Sequence, residues 1–281
     1  MQATSEKFEK YSVLMSVYSK DNPAYLKQSI DSMLCQTIRP DQIVLVKDGS
    51  VSPSMDVLIE RYQKRNPGLF DVVHLLKNEG LGVALDEGLK HCRNELVARM
   101  DADDISVPDR CEKQLEIFRR HPELSVVSGN IGEFVKDPKH LVAVRTVPEH
   151  NEAIKKRMRI RSAFNHPAVM YRKSDVLRCG GYGSFRRKQD HVLFSHMLNS
   201  GCKGYNIQDT ILLFRADRNS IKRKKSWENC RGYIEAQYYN FKRRECSFPD
   251  LLFVVVTQLA VYALPVRFVD VMTKLFIRNR A

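Results

Sequence analysis

The sequence predicts an α/β protein with a Rossmann-like, mostly parallel sheet covered by helices on both faces. Three observations carry this. Between residues 11 and 121, short apolar runs alternate four times with segments of helical period. The runs end in turn-forming or charged residues, which places the chemistry beyond the carboxyl ends of the strands, where open α/β sheets bind ligands. A chain of 281 residues, 43% of them hydrophobic, can bury one large core or two modest ones.

Residues 11–17 (YSVLMSV) read as a short buried strand, and the turn-rich segment from Tyr18 to Pro23 opens a helix. In that helix Leu26, Ile30, Met33 and Leu34 recur at spacings of three and four, marking one buried stripe. A second strand, 42–47, ends in Asp48-Gly49-Ser50, and the helix at 53–66 carries Met55, Leu58, Ile59 and Tyr62 on one face. A third strand at 71–76 leads through Asn78-Glu-Gly80-Leu-Gly82 into a helix with Val83, Ala84, Leu85 and Leu89. The fourth, 95–100, delivers three acids in four positions: Asp101, Asp103 and Asp104. In an extended segment Asp101 and Asp103 would face one shared ligand while Ala102 faces the packing. Converging carboxylates suit a hard divalent cation, which prefers oxygen ligands. A strand-to-helix turn with an Asx cap is the competing reading.

Pro108 suits the first turn of a helix running to about His121. Beyond it the alternation loosens. The pattern predicts strands at 124–129, 142–147 and 167–171, a basic helix at 149–161, a flexible turn at 179–183, a helix at 192–198, and a final strand pair at 201–207 and 210–215.

The formal net charge of +13 points to nucleic acid, an anionic membrane surface or a phosphate-bearing substrate, without choosing among them. Between Arg215 and Arg244 ten basic residues face three acids, but no nucleic-acid signature accompanies the run from Lys222 to Lys225. Seven scattered cysteines with no Cys-x-x-Cys pair argue against a disulfide framework or a zinc site and for a reducing, cytosolic setting. The first twenty residues lack the apolar core of a secretory signal. Residues 251–266 carry no charge, yet as a helix they span only about 24 Å, short of the roughly 30 Å hydrocarbon core.

Taken in order, YSVLMSVY, KDGS, NEGLGVALDEGL, ARMDADDISVPDR, NHPAVMYRKSDVLRCGGY, KQDHVLFSHMLNSG and LLFRADRNSIKRKKS resemble family 2 glycosyltransferases of the GT-A fold, closest in flavour to bacterial enzymes of O-antigen, capsule or exopolysaccharide assembly. The resemblance covers about residues 11–226. It implies a transferase domain over 1–222, with a nucleotide-sugar half at about 11–107 and an acceptor half at about 108–222, and a basic, hydrophobic helical extension over 223–281. It assigns Ser16, Tyr18, Asp48, Asn78, Gly82, Asp101 and Asp103 to the nucleotide sugar, with Tyr18 stacking on a pyrimidine and Asp48 accepting from the base. Asp101 to Asp104 take the place of the family's metal region, with Asp103 the metal ligand and Asp101 the ribose contact. The implied cofactor is Mn²⁺ or Mg²⁺.

Asp190 falls at the position of the catalytic base, with Gln189 where relatives have Glu; the plain alternative for Asp190 is a helix N-cap. His166 and His191 are candidates for lining the acceptor site. The implied reaction is inverting transfer from a nucleotide-diphosphate sugar, a UDP-sugar by resemblance, to a glycan or polyprenyl-diphosphate-linked acceptor. No nucleic acid takes part. The implied address is the cytoplasm, peripheral on the inner face of the membrane, with the segment from Phe248 to Ile277 docking on anionic headgroups. Two rivals are a nucleotidyltransferase, although residues 16–20 lack the glycines of a triphosphate loop, and a basic membrane- or nucleic-acid-binding module without catalysis.

Overall fold

A computed structural model describes residues 8–216 and 225–264. The first half is the expected alternation: β1 (Tyr11–Val17), α1 (Pro23–Leu34), β2 (Gln42–Asp48), α2 (Pro53–Arg65), β3 (Phe70–Leu75), α3 (Leu81–His91) and β4 (Leu96–Met100). Local chemistry sets the helix starts. Asn22 accepts from the Ala24 amide at 2.8 Å and Ser52 from Met55 at 3.3 Å, each followed by a proline in the first turn, where its missing N–H costs nothing.

A two-residue strand, β5 (Ile105–Ser106), follows the acids, then α4 (Arg110–Arg120), β6 (Val126–Phe134), β7 (Leu141–Arg145) and α5 (Asn151–Met158). The expected strand at 167–171 is instead a 3-10 turn over His166–Ala168 followed by β8 (Met170–Arg172). After α6 (Lys173–Arg178) and α7 (Gln189–Asn199), the expected strand pair is one strand, β9 (Gly204–Arg215), whose register against β6 breaks between Ile207 and Thr210. Asn130 Nδ2 donates to the Gln208 carbonyl at 2.6 Å in that break, so the irregularity is held by β6 itself. Two helices close the described chain, α8 (Trp227–Lys242) and α9 (Phe248–Ala263).

The sheet runs β3-β2-β1-β4-β8-β6-β9-β5, with β7 on β6. The first four strands are parallel; beyond β4 the sheet is mixed, because β8 runs antiparallel to both β4 and β6. Since β2 and β4 flank β1, the strand order reverses at β1 and leaves a crevice at the carboxyl ends of β1 and β4. One core packs α1, α2 and α4 on the sheet; the other packs α3, α5, α6 and α7.

The seven cysteines are free thiols, all buried but Cys35. Among the described residues no helix is long and apolar enough to cross a membrane. The basic run from Lys222 to Lys224 and the segment from 265 to 281, to which membrane contact was also assigned, lie outside the described residues.

Candidate active site

β4 is buried along its whole length and releases the chain into a turn at Ala102 and Asp103. The alternation expected of an extended segment is therefore replaced by a turn. The turn brings together the three acids named for a metal: Asp101, Asp103 and Asp104 each offer an oxygen within 4.8 Å of the others, while Ala102 packs into the core. Ser29 Oγ fixes the turn by donating to the Asp101 carbonyl at 2.7 Å. Beneath it the fully buried Arg99 donates from Nη2 to Asp101 Oδ1.

Asp104 is fully buried; its Oδ1 accepts from the Arg215 amide at 2.9 Å, and its Oδ2 has no donor. Asp103 keeps an exposed surface, yet the protein packed around it, then the neighbouring Asp101, push it up to about 6; burial with both neighbours raises Asp104 well above the usual carboxylate range. A fourth acid joins them. Asp21, after β1, accepts from the Tyr18 amide at 3.0 Å, and burial with the charges of Asp103 and Asp101 pushes it up to about 7. Crowded carboxylates with a buried, donorless oxygen form a donor set that matches a hard divalent cation, and Asp101, Asp103 and Asp104 could hold one.

Half-buried Ser16 is the next-to-last residue of β1, and Tyr18, just past the strand, is 39% exposed. Tyr18 lines a cleft of about 650 Å³ with Asn78, Gly80, Phe185, Arg187 and Trp227. Asp48 is buried, and its carboxylate accepts from Asn78 Nδ2 (3.0 Å), Glu79 N (2.7 Å) and Gly80 N (3.0 Å). It is the strut of the β3–α3 loop. Gly49 has φ +81°, and a Cβ there would meet the Asn78 amide at 2.8 Å, so the close backbone approach at Gly49 is to this loop. Gly82, assigned to the nucleotide sugar, is buried instead: a Cβ would strike the Gly183 carbonyl at 2.7 Å and touch Gln189.

That contact helps set α7. Asp86 on α3 accepts from the amides of Tyr182 (2.7 Å) and Gly183 (2.8 Å), clamping the turn that leads to α7, and burial raises its pKa. Lys188 precedes α7 in the left-handed region, φ 62°, and Gln189 turns into the packing against Gly82, where a neutral amide is tolerated better than a carboxylate. Asp190 lies inside the first turn, makes no capping hydrogen bond, and accepts none from any other described residue. The N-cap alternative therefore fails.

The histidines need correction. His191 is buried and its Nε2 donates to Gln237 Oε1 of α8 at 3.2 Å, because the residue after Asp190 is turned about 100° toward the core. His166 is all but buried against Tyr182 and Phe194, with Nε2 3.0 Å from the Tyr182 hydroxyl. Neither is placed to line an acceptor site. Sequence reasoning missed Asp21, Asp86 and Arg99, and left Arg215 in a basic run without a role. Arg215 sits on Tyr25 and Phe134 and donates from Nε to the Asp103 carbonyl at 2.9 Å.

The family model described as Glycosyl transferase family 2 matches residues 12–188. The chain is 33% identical over 275 residues, 98% of its length and 99% of the relative's, to the UDP-Gal:alpha-D-GlcNAc-diphosphoundecaprenol beta-1,3-galactosyltransferase of Escherichia coli. It is 34% identical to the amylovoran biosynthesis glycosyltransferase AmsE of Erwinia amylovora, over 83% of this chain and 85% of the relative. Its fold is similar to that of the Pyrobaculum calidifontis mannosyltransferase PcManGT solved with GDP-Man and Mn²⁺: TM-score 0.66 at 14% identity, covering 96% of this chain and 81% of the other. The architecture is GT-A.

Proposed function

The chain belongs to glycosyl transferase family 2, and from that premise we propose that it moves a sugar from a UDP-sugar, with inversion, to a hydroxyl of a polyprenyl-diphosphate-linked glycan in surface polysaccharide synthesis. What supports this is the Asp101, Asp103, Asp104 cluster beyond the carboxyl end of β4, together with Asp190 in the first turn of α7, whose carboxylate no described residue takes up. Membership of this family sets aside the nucleotidyltransferase and the non-catalytic module.

In this reading Tyr18 and the loop braced by Asp48 receive the nucleotide, Tyr18 by its exposed ring and Asn78 and Gly80 by the cleft wall. Asp103 and Asp101, with Asp104 beneath them, would hold Mn²⁺ or Mg²⁺. When bound, the ion offsets the negative charge that grows on the leaving UDP. Asp190 accepts the proton of the acceptor hydroxyl as its oxygen bonds to the anomeric carbon and the bond to the diphosphate breaks on the opposite face. Arg99 and Arg215 hold the acid turn in register, the first through Asp101 and the second through Asp103 and Asp104.

The same reading gives α9 an address. Leu252, Phe253, Val256, Leu259 and Tyr262 are all exposed and only Val254 is buried, so this helix offers the leaflet holding such an acceptor an apolar face. The deciding experiment incubates the purified protein and Mn²⁺ with a panel of UDP-sugars and a short polyprenyl-diphosphate-linked sugar. Transfer with inversion that stops in chelator is expected. Transfer from no donor, or transfer indifferent to Asp190→Asn, overturns the reading.

A further inference from the structure

The acceptor half carries positive charge that the described protein leaves unmet. Arg157, on the last turn of α5, and Arg161 just after it are both half-buried. Arg157 donates from Nη1 to the Thr146 carbonyl at 3.3 Å, and its buried Nε has no acceptor. The Arg161 amide donates to the Arg157 carbonyl at 3.1 Å, but its guanidinium has no hydrogen bond or ion pair among the described residues. Arg145 on β7, which holds Glu133 at 2.6 Å and lies over Phe214, is close enough for its charge to bear on both. Tyr233 of α8 interacts with Arg157 and Arg161, and the Lys188 ammonium lies 3.9 Å from the centre of the same ring.

A guanidinium withdrawn from water without a counter-charge is costly. Elsewhere the cost is offset: buried Arg99 pairs with Asp101, and buried Arg110 spreads its donors over Gln114 Oε1 and the carbonyls of Arg99 and Val169. At the α5 cluster the cost stands. Burial first, then Arg161 and Arg145, pulls Arg157 down to about 10; burial, with Arg145 adding to it, lowers Arg161 too.

We propose that Arg157, Arg161, Arg145 and Lys188 form a binding site for the diphosphate of the acceptor, distinct from the acid cluster that serves the donor. This rests on the reading that the acceptor is diphosphate-linked. Planar guanidinium forks match phosphate oxygens bidentately, and two forks with donors to spare and no counter-charge, beside an ammonium, suit two linked phosphates. Lys188 stands two residues before Asp190, so an anion held here is anchored next to the helix that carries the base. Carboxylates need a cation to hold a diphosphate; these four cations do not. The site therefore works without metal.

The test is calorimetric titration of the full chain with geranyl diphosphate, in chelator and saturating UDP, with geraniol as control. Wild type is expected to bind the diphosphate and not the alcohol. Arg157→Met and Arg161→Gln should each weaken binding at least tenfold and leave Mn²⁺-dependent UDP-sugar binding unchanged. Without anion, both variants should unfold at or above the wild-type temperature, since an unpaired buried charge has gone. Binding that needs Mn²⁺, that UDP abolishes, or that neither variant weakens overturns the proposal. So does loss of phosphatidylglycerol-vesicle binding in the variants while geranyl diphosphate still binds, which would make the patch a headgroup surface. No arm depends on sugar transfer, so failure of the transferase reading is seen separately.

Discussion

The backbone amide of Arg215 donates to Oδ1 of Asp104 at 2.9 Å, joining residues 111 positions apart. The short pairing of β5 with β9, Ile105 with Leu213, makes this contact possible. The guanidinium then reaches back to the Asp103 carbonyl and to Gln28 Oε1 at 2.5 Å. The last sheet strand thus holds the acid turn from behind.

Arg215→Ala keeps the amide and loses the side-chain brace. We expect a fall in kcat/KM for the UDP-sugar of roughly 10- to 100-fold, about 1.4 to 2.7 kcal/mol, with little change in unfolding temperature. Arg215→Lys should recover little, because an ammonium cannot stack flat on Tyr25 and Phe134 while reaching two acceptors. Full activity in Arg215→Lys would show that only charge matters there.

Asp103→Asn should abolish the enhancement of UDP-sugar binding by Mn²⁺ and leave the fold intact. The raised carboxylates add a pH effect. Asp103 at about 6 and Asp21 at about 7 hold protons that a cation must displace, so apparent Mn²⁺ affinity should weaken as pH falls from above 7 to below 6. Equal Mn²⁺ enhancement in mutant and wild type, or a flat pH profile of metal affinity, contradicts the assignment.

Asp190→Asn should preserve donor affinity and cut transfer by roughly 10²- to 10⁴-fold, the usual worth of a positioned base. Single-turnover rates measured with saturating donor separate the two effects. Near-normal turnover would return Asp190 to a structural role.

His191 and His166 bear on stability against pH. Burial holds both below their ordinary value of 6.5, with the Arg99 charge a second cause for His166. The unfolded chain therefore binds protons that the native state refuses. Stability is intact above about pH 6.5 and is lost as pH falls below it, by up to about 1.4 kcal/mol per pH unit for each histidine. His191→Gln should flatten the decline in melting temperature between pH 7 and 5; an unchanged slope would mean that the ring is already protonated in the native protein.

Leu252→Ser, Phe253→Ser and Val256→Ser together remove the centre of the exposed face of α9 while leaving Val254 and the Ser247–Asp250 capping box in place. Co-sedimentation with anionic vesicles at low salt should fall at least several-fold, with UDP-sugar binding unchanged. Aggregation of the triple variant with intact vesicle binding in the remainder would place that face in a protein contact.

Where local chemistry dominates, the sequence is a good guide. The stripe of Leu26, Ile30 and Met33 behind an Asn–Pro cap, and the acids after a strand apolar but for Arg99, mark α1 and the cluster without any tertiary knowledge. What it hides is set by partners distant in the chain. Asp86 lies among helix residues of ordinary period, and only the turn 96 residues later gives it a task. Asp48, a strand-end acid before glycine, has free choice locally; that its carboxylate also braces a loop is set by residues 30 positions on. His166 and His191 looked available because a polar ring carries no mark of which side of a helix or turn it will face.

Helix α3 begins at the loop braced by Asp48 and, through Gly82 and Asp86, also fixes the approach to Asp190. Swapping the two halves among relatives at about residue 108, to graft a new acceptor preference, would cut across this ruler. Chimeras should retain activity only when the segments 80–90 and 179–190 come from the same parent. Donor and acceptor preference are thus poor candidates for independent exchange, and a recombination library would be better divided by contacts than by sequence order.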